Sequence, residues 1–197
     1  MPFGKPRAER ADAARNRAHL LETAREMVAE VGVEHVTMDG LAERAGLGKG
    51  TVFRRFGTRA GIFVALLDET ERAFQERVMS GPPPLGPGAD PVDRLIAYGH
   101  ARATFLTEHH AIARAAIDRN LLVPDGQDTL SQLHIRMLLG RIPLDAPDLD
   151  SLAAQLTAAL EGPLLINLAR AEPHPSAHSL ADSWQLLIER LCRPGRP

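Results

Sequence analysis

The chain has 197 residues, 44% of them apolar, enough to fill one mid-sized core or a small head on a larger body and too many for a disordered chain. A single cysteine, Cys192, excludes an internal disulfide framework, and no run of eighteen apolar residues offers a membrane span. Net charge is only −2, yet residues 1–60 carry eleven Lys/Arg against eight Asp/Glu while residues 61–197 carry twelve against seventeen.

Ala, Leu, Arg and Glu dominate, and no strand-like alternation stands out, so the expected fold class is all-α. The first helix is expected from Asp12 to Val31, with Leu20, Leu21, Ala24, Met27, Val28 and Val31 on one face and Gly32 as its C-terminal cap. The basic residues Lys5, Arg7 and Arg10 then form an arm before it. Thr37 caps a short second helix through Ala45, Gly46 breaks it, and a third helix fits Gly48 to Phe56. Gly57 ends that helix, and Thr58 caps a fourth with an apolar stripe of Ile62, Phe63, Leu66, Leu67, Phe74 and Val78.

The segment from Ser80 to Pro91 has too much proline and glycine for a helix, and Asp90 with Pro91 opens the next one, carrying Val92, Leu95, Ile96 and Phe105. Shorter helices are expected near residues 110–119 and 127–140. A long apolar helix follows from Leu149 to Leu168, kinked at Pro163, and a last one over Ser179–Leu191 gathers Leu180, Trp184, Leu187, Ile188 and Leu191 on one side.

Two short helices around a glycine turn, TMDGLAERAGLGKGTVFRRFG over residues 37–57, have the helix-turn-helix pattern, with Leu41, Leu47 and Val52 as a shared core. From Arg44 to Leu67 the chain carries Arg44, Lys49, Arg54, Arg55 and Arg59 and no acid, so a polyanion would be drawn there. The second helix of the pair exposes Lys49, Thr51, Phe53, Arg54 and Arg55, the cations and hydroxyl that phosphate oxygens and guanine edges require.

The run VTMDGLAERAGLGKGTVFRRFGTRAGIF, Val36 to Phe63, resembles the N-terminal signature of the tetracycline-repressor (TetR) family, with the likeness covering roughly residues 12–65. It implies phosphate contacts from Thr37, Thr51 and Arg59, and groove contacts from Lys49, Gly50, Phe53 and Arg54. Three positions depart from the pattern: Phe53 stands where tyrosine is usual, Gly48 where serine is, and Arg59 where lysine is commoner.

The resemblance further implies a head over residues 1–60, a ligand-binding and dimerisation body over 61–197, and repression of a palindromic double-stranded operator, relieved by a small-molecule effector. A homodimer is expected through the last two long helices, apolar enough to bury one face inside and another in a partner. Polar groups on otherwise apolar helices, His100, Arg102, His109, Arg114 and His134, with Phe105, Met137 and Trp184 as walls, are the candidate effector contacts.

An enzyme is the competing reading, but HExxH, GxSxG and a phosphate-binding glycine loop are all missing from the sequence. His174 and His178 have i, i+4 spacing but flank Pro175, which prevents a regular helix there. No cofactor or metal is expected. A second competitor is a DNA-binding protein without an effector. The N-terminal stretch is basic with no apolar segment after it, so the expected location is the cytoplasm.

Overall fold

Side chains that recur every three to four residues fold here as helices and nothing else. The computed structural model describes residues 7–116, 129–168, 170–172 and 175–192, and among them there are nine α-helices, one 3₁₀ turn and no strand. The helices are α1 (Arg7–Val31), α2 (Met38–Arg44), α3 (Lys49–Phe56), α4 (Arg59–Ser80), α5 (Pro91–Glu108), α6 (His110–Ala116), α7 (Leu130–Leu139), α8 (Leu149–Ile166) and α9 (Ala177–Cys192). The 3₁₀ turn, Val33–His35, lies between α1 and α2 and was not expected from the sequence.

The start and stop signals act where their chemistry places them. Thr37 Oγ1 accepts from Gly40 N at 3.0 Å, Asp90 accepts from Val92 N at 2.9 Å with Pro91 in the first turn, and Asp148 caps α8 by accepting from Asp150 N and Ser151 N. A hydrogen bond from the Ser151 hydroxyl, followed by those two backbone bonds, holds the Asp148 carboxyl below its ordinary range. The first helix differs from expectation: it begins at Arg7, so Arg7 and Arg10 belong to α1 and form no separate arm. Lys5 and His174 lie outside the described residues, as do the ends of the two short helices expected near 110–119 and 127–140. Pro163 stands inside α8, which continues to Ile166.

Two compact units divide the chain. The first runs to Glu69 and includes Ala115 and Ala116; the second holds Thr70–Arg114 and the described residues from 129 onward. In the first, Leu20, Leu21, Ala24, Val36, Leu41, Val52, Ile62, Phe63 and Leu66 are buried. In the second, one core joins Phe74 and Val78 of α4, Val92, Leu95 and Tyr98 of α5, Ile135 and Leu138 of α7, Leu156 and Leu160 of α8, and Trp184 and Ile188 of α9. The closest packing there is α5 on α9 and α7 on α8. Among the described residues no helix is long and apolar enough to cross a membrane.

Candidate nucleic-acid interface and effector cavity

The turn between α2 and α3 is set by one residue without a side chain. Gly46 has φ +65°, a left-handed conformation that other residues adopt at a cost, and this lets Leu47 N reach Ala42 O at 3.0 Å and Gly46 N reach Glu43 O at 3.1 Å. Both bonds satisfy carbonyls that the end of α2 would otherwise leave bare. Ala42, 2% exposed, allows the helices to approach, and Leu41 and Val52 are fully buried between them. From α1, His19 Nε2 donates to the Ala45 carbonyl at 3.1 Å and ties that helix to the turn.

α3 then turns its polar side outward. Lys49, Gly50, Phe53, Arg54 and Arg55 are exposed, Phe53 at 49%, while Thr51 and Phe56 are half-buried. Gly48 caps the helix with no side-chain acceptor, as its composition requires. A Cβ on Gly50 would meet nothing within 4 Å, so the fold does not need a glycine there.

The stretch that is acid-free in sequence is not acid-free in space. Arg44 pairs with Glu30 and Glu26 of α1, and the Arg44 hydrogen bond holds the Glu30 carboxyl below its ordinary range. Lys49 Nζ lies 2.8 Å from Asp39 Oδ2 on α2. Arg55 donates to the Ala13 carbonyl at 2.7 Å, whereas Arg54 makes no hydrogen bond or ion pair with any described residue. Thr51, Arg54 and Arg55 line one depression with Asp12, Ala13, Asn16 and Leu20 of α1. Arg59 turns inward: its Nε donates to Val36 O at 2.7 Å, a second nitrogen donates to Val33 O, and the guanidinium lies 4.9 Å from the Phe63 ring centre. It braces the 3₁₀ turn and the entry to α2, where Thr37 is exposed.

The second unit contains a cavity of about 1050 Å³ between α4, α5, α9 and the 81–90 connection. Phe74, Leu85, Ile96, Ala97, Ala101 and Phe105 supply its apolar surface; Arg77, Asp93, Glu108 and Glu189 bring charge. Three of the residues singled out in the sequence, His100, Phe105 and His109, line it together. His109 stacks on Phe105 with centres 4.5 Å apart and donates from Nδ1 to the Phe105 carbonyl at 2.8 Å.

The other five do not line it. Arg102 lies behind the aromatic wall, over Phe74 and Phe105 at 5.5 and 5.1 Å, and is ion-paired with Glu71 at 2.6 Å and Glu161 at 2.8 Å. Trp184 is 3% exposed and His134 5%, both held in the core; Met137 packs on that core, and Arg114 is half-buried on α6. Residues 20–66 match the family described as bacterial regulatory proteins, tetR family.

The crystal structure of a TetR-family transcriptional regulator from Pectobacterium atrosepticum has a similar fold over 98% of this chain and 100% of its own, at 20% identity and a TM-score of 0.71. AibR in complex with isovaleryl coenzyme A and operator DNA is similar over 91% of this chain and 100% of its own, at 16% identity and a TM-score of 0.54. NalD of Pseudomonas aeruginosa, the secondary repressor of the MexAB-OprM multidrug efflux pump, is similar over 94% and 100%, at 19% identity and a TM-score of 0.51. At these identities the likeness is one of fold, and it extends well beyond residues 20–66. No curated protein matches the chain.

Residues that sequence reasoning missed around the α2–α3 pair and the cavity share a trait: their place beside them comes from another segment. Pro84 and Leu85 sit in a stretch legible only as a linker, and Gln185 and Glu189 occupy the polar side of α9. Asp39 is unremarkable until Lys49 meets it across the turn.

Proposed function

We propose that this chain is a homodimeric transcriptional repressor whose α3 enters the major groove of a palindromic operator, and which a small-molecule effector in the α4–α5–α9 cavity releases. The observation that carries this reading is the outward face of α3, where Arg54 makes no ion pair with any described residue and Arg55, Lys49 and Thr51 stand beside it. Arginine there is suited to guanine edges and phosphates. Gly50, open to solvent and free of packing demands, admits a backbone phosphate closely. Thr37 lies exposed at the start of α2, and Arg59 supports that position from within.

One short recognition helix supplies little affinity, so two heads must act about 34–36 Å apart, one turn of duplex. We assign the dimer contact to α8 and α9. Leu165, Ile166, Leu186 and Leu187 on these helices are 58%, 84%, 57% and 40% exposed, an apolar cost that a partner's equivalent face removes. The head is residues 1–60 and the body 61–197, and the cytoplasm is where such a protein meets its operator.

The cavity has the size and apolar lining of a small-molecule site. That AibR was crystallised with an acyl coenzyme A as well as operator DNA is in keeping with an effector role for this unit. An effector lowers operator affinity by no more than its differential affinity for two conformers of the dimer. The test is selection of bound fragments from random DNA by the purified full chain, followed by gel shift. Enrichment of a palindrome with half-sites one turn apart supports the reading; no enrichment over a scrambled duplex at modest ionic strength refutes it.

A further inference from the structure

The polar groups that line the α4–α5–α9 cavity have most of their protons already committed within the protein. His109 gives its Nδ1 proton to the Phe105 carbonyl at 2.8 Å, Thr104 its hydroxyl proton to the His100 carbonyl at 3.0 Å, and Gln185 turns its amide nitrogen to Glu189 Oε1 at 2.9 Å. What these side chains keep for a ligand is accepting capacity: the imidazole Nε2, a hydroxyl oxygen and an amide oxygen. Asp93, Glu108 and Glu189 add carboxylates, which only accept, and the Thr70 hydroxyl can serve either way. Against them the lining holds one permanent cation, Arg77.

That cation stands at one end. α4 and α5 run antiparallel, with the Phe74 and Phe105 rings 5.1 Å apart and Arg94 3.4 Å from the Val78 carbonyl, so Arg77, next to Val78, lies toward Asp93. The opposite end, with Thr104, Glu108 and His109, has no arginine or lysine in its lining. Glu108 forms no ion pair with a described residue, and α5 ends there, at the negative pole of its helix dipole. Between the ends Phe74, Leu85, Ile96, Ala97 and Ala101 form an apolar bed. Ala97 and Glu108 are about 16 Å apart along the axis of α5 at the ordinary helical rise, which leaves room for an extended apolar body.

We infer that the cavity takes a lipophilic amine, and so that the effector proposed above is one. Its ammonium hydrogens meet the Glu108 carboxylate, His109 Nε2 and Thr104 Oγ1, and its apolar body runs along Phe74, Ala101 and Ala97 toward Leu85. The cation gains charge-assisted hydrogen bonds and the favourable end of a helix dipole. A carboxylate or phosphate at the same place would meet acceptors with acceptors and a like charge at Glu108, with Arg77 at the wrong end. The apolar bed supplies affinity, and the excess of acceptors selects the head group. The inference rests on the reading of this cavity as the effector site.

Octylamine, octanol and octanoate carry one apolar body with a cationic, a neutral and an anionic head at neutral pH. Calorimetric titration of the full chain is expected to rank octylamine about tenfold tighter than octanol, the worth of exchanging a neutral for a charge-assisted hydrogen bond, with octanoate weakest. Glu108→Gln keeps the shape of an exposed side chain and removes its charge. It is expected to weaken octylamine by up to about fivefold, the range for a partly exposed charge, and to leave octanol unchanged. The proposal falls if octanoate binds as tightly as octylamine, if none of the three binds, or if Glu108→Gln leaves the advantage of octylamine over octanol intact. Gel shifts on the selected operator separate this from the effector reading. Octylamine that binds with the expected preference but leaves the operator bound upholds the ligand class and refutes its role in release; release by octanoate in preference to octylamine does the reverse.

Discussion

Trp184 Nε1 on α9 donates a hydrogen bond of 2.7 Å to the Leu95 carbonyl on α5, within a helix whose own ladder does not need that donor. The indole can reach it only because Gly99 lies between: a Cβ built on Gly99 would stand 1.9 Å from Trp184 Cδ1. Gly99→Ala is therefore expected to destabilise the protein by about 3 kcal/mol, at the upper end for an overpacked core. Urea unfolding followed by the fluorescence of Trp184, the chain's single tryptophan, measures it directly. Trp184→Phe, which loses the bond but keeps a ring, should cost less.

Arg102 joins α4, α5 and α8 through Glu71 and Glu161, with side-chain exposures of 11%, 30% and 12%. Removing the cation leaves Glu161 buried and unpaired, so Arg102→Ala is expected to cost about 3 kcal/mol. Glu71→Gln, at the better hydrated partner, should cost about 1 kcal/mol or less. Equal losses in urea unfolding would mean that the two pairs are equally desolvated, contrary to their exposures.

His134 makes stability fall in mild acid. Its folded value of about 4 lies below the ordinary 6.5, so the unfolded chain binds the extra proton first. The stability it contributes is complete above about pH 6.5 and is lost as pH drops toward about 4, by up to roughly 3 kcal/mol. Denaturant unfolding of wild type and His134→Leu at pH 7 and pH 5 isolates this residue from the carboxylates. The gap between the two proteins should shift in favour of the variant as pH falls, and a pH-independent gap counts against a neutral buried ring.

On α3, Arg54→Ala is expected to weaken operator binding by about 1–3 kcal/mol with the dimer intact. Lys49→Ala should lower the salt dependence of binding by about one unit. Asp39→Asn should tighten binding, because Asp39 masks Lys49 at 2.8 Å and both are well exposed. Gel shifts over a salt series measure all three, and weaker binding by Asp39→Asn would show that the pair orients Lys49 instead of masking it.

Ile166→Glu combined with Leu186→Glu places charge in the apolar patch proposed as the dimer contact. Sedimentation should then find monomers, with operator affinity lost although α3 is untouched. A dimer that survives both changes would assign the contact elsewhere.

Much of the helical plan was legible because its signals are local. Leu20, Leu21, Ala24 and Met27 recur at helical spacing and are buried, Thr37 and Asp90 cap the helices they precede, and Gly46 and Gly57 end theirs with positive φ. The start of α1 at Arg7 was not legible, since no capping residue or apolar periodicity marks it. The 3₁₀ turn at Val33–His35 also escaped, because its bracing by Arg59 comes from a residue more than twenty positions away.

What the linear order of residues decided by itself was the all-helical class and the glycine-marked pair α2–α3 with its cationic face, because caps, turns and periodicity act over one to four residues. Only the tertiary structure decided which charges stay unpaired and which polar groups face a cavity. Lys49 and Arg44 meet acids from other helices, Arg102 and Trp184 pack behind the cavity wall, and Leu85 enters it from the 81–90 connection. Coulomb energy and burial depend on distance in space, and sequence separation says little about that distance once helices pack.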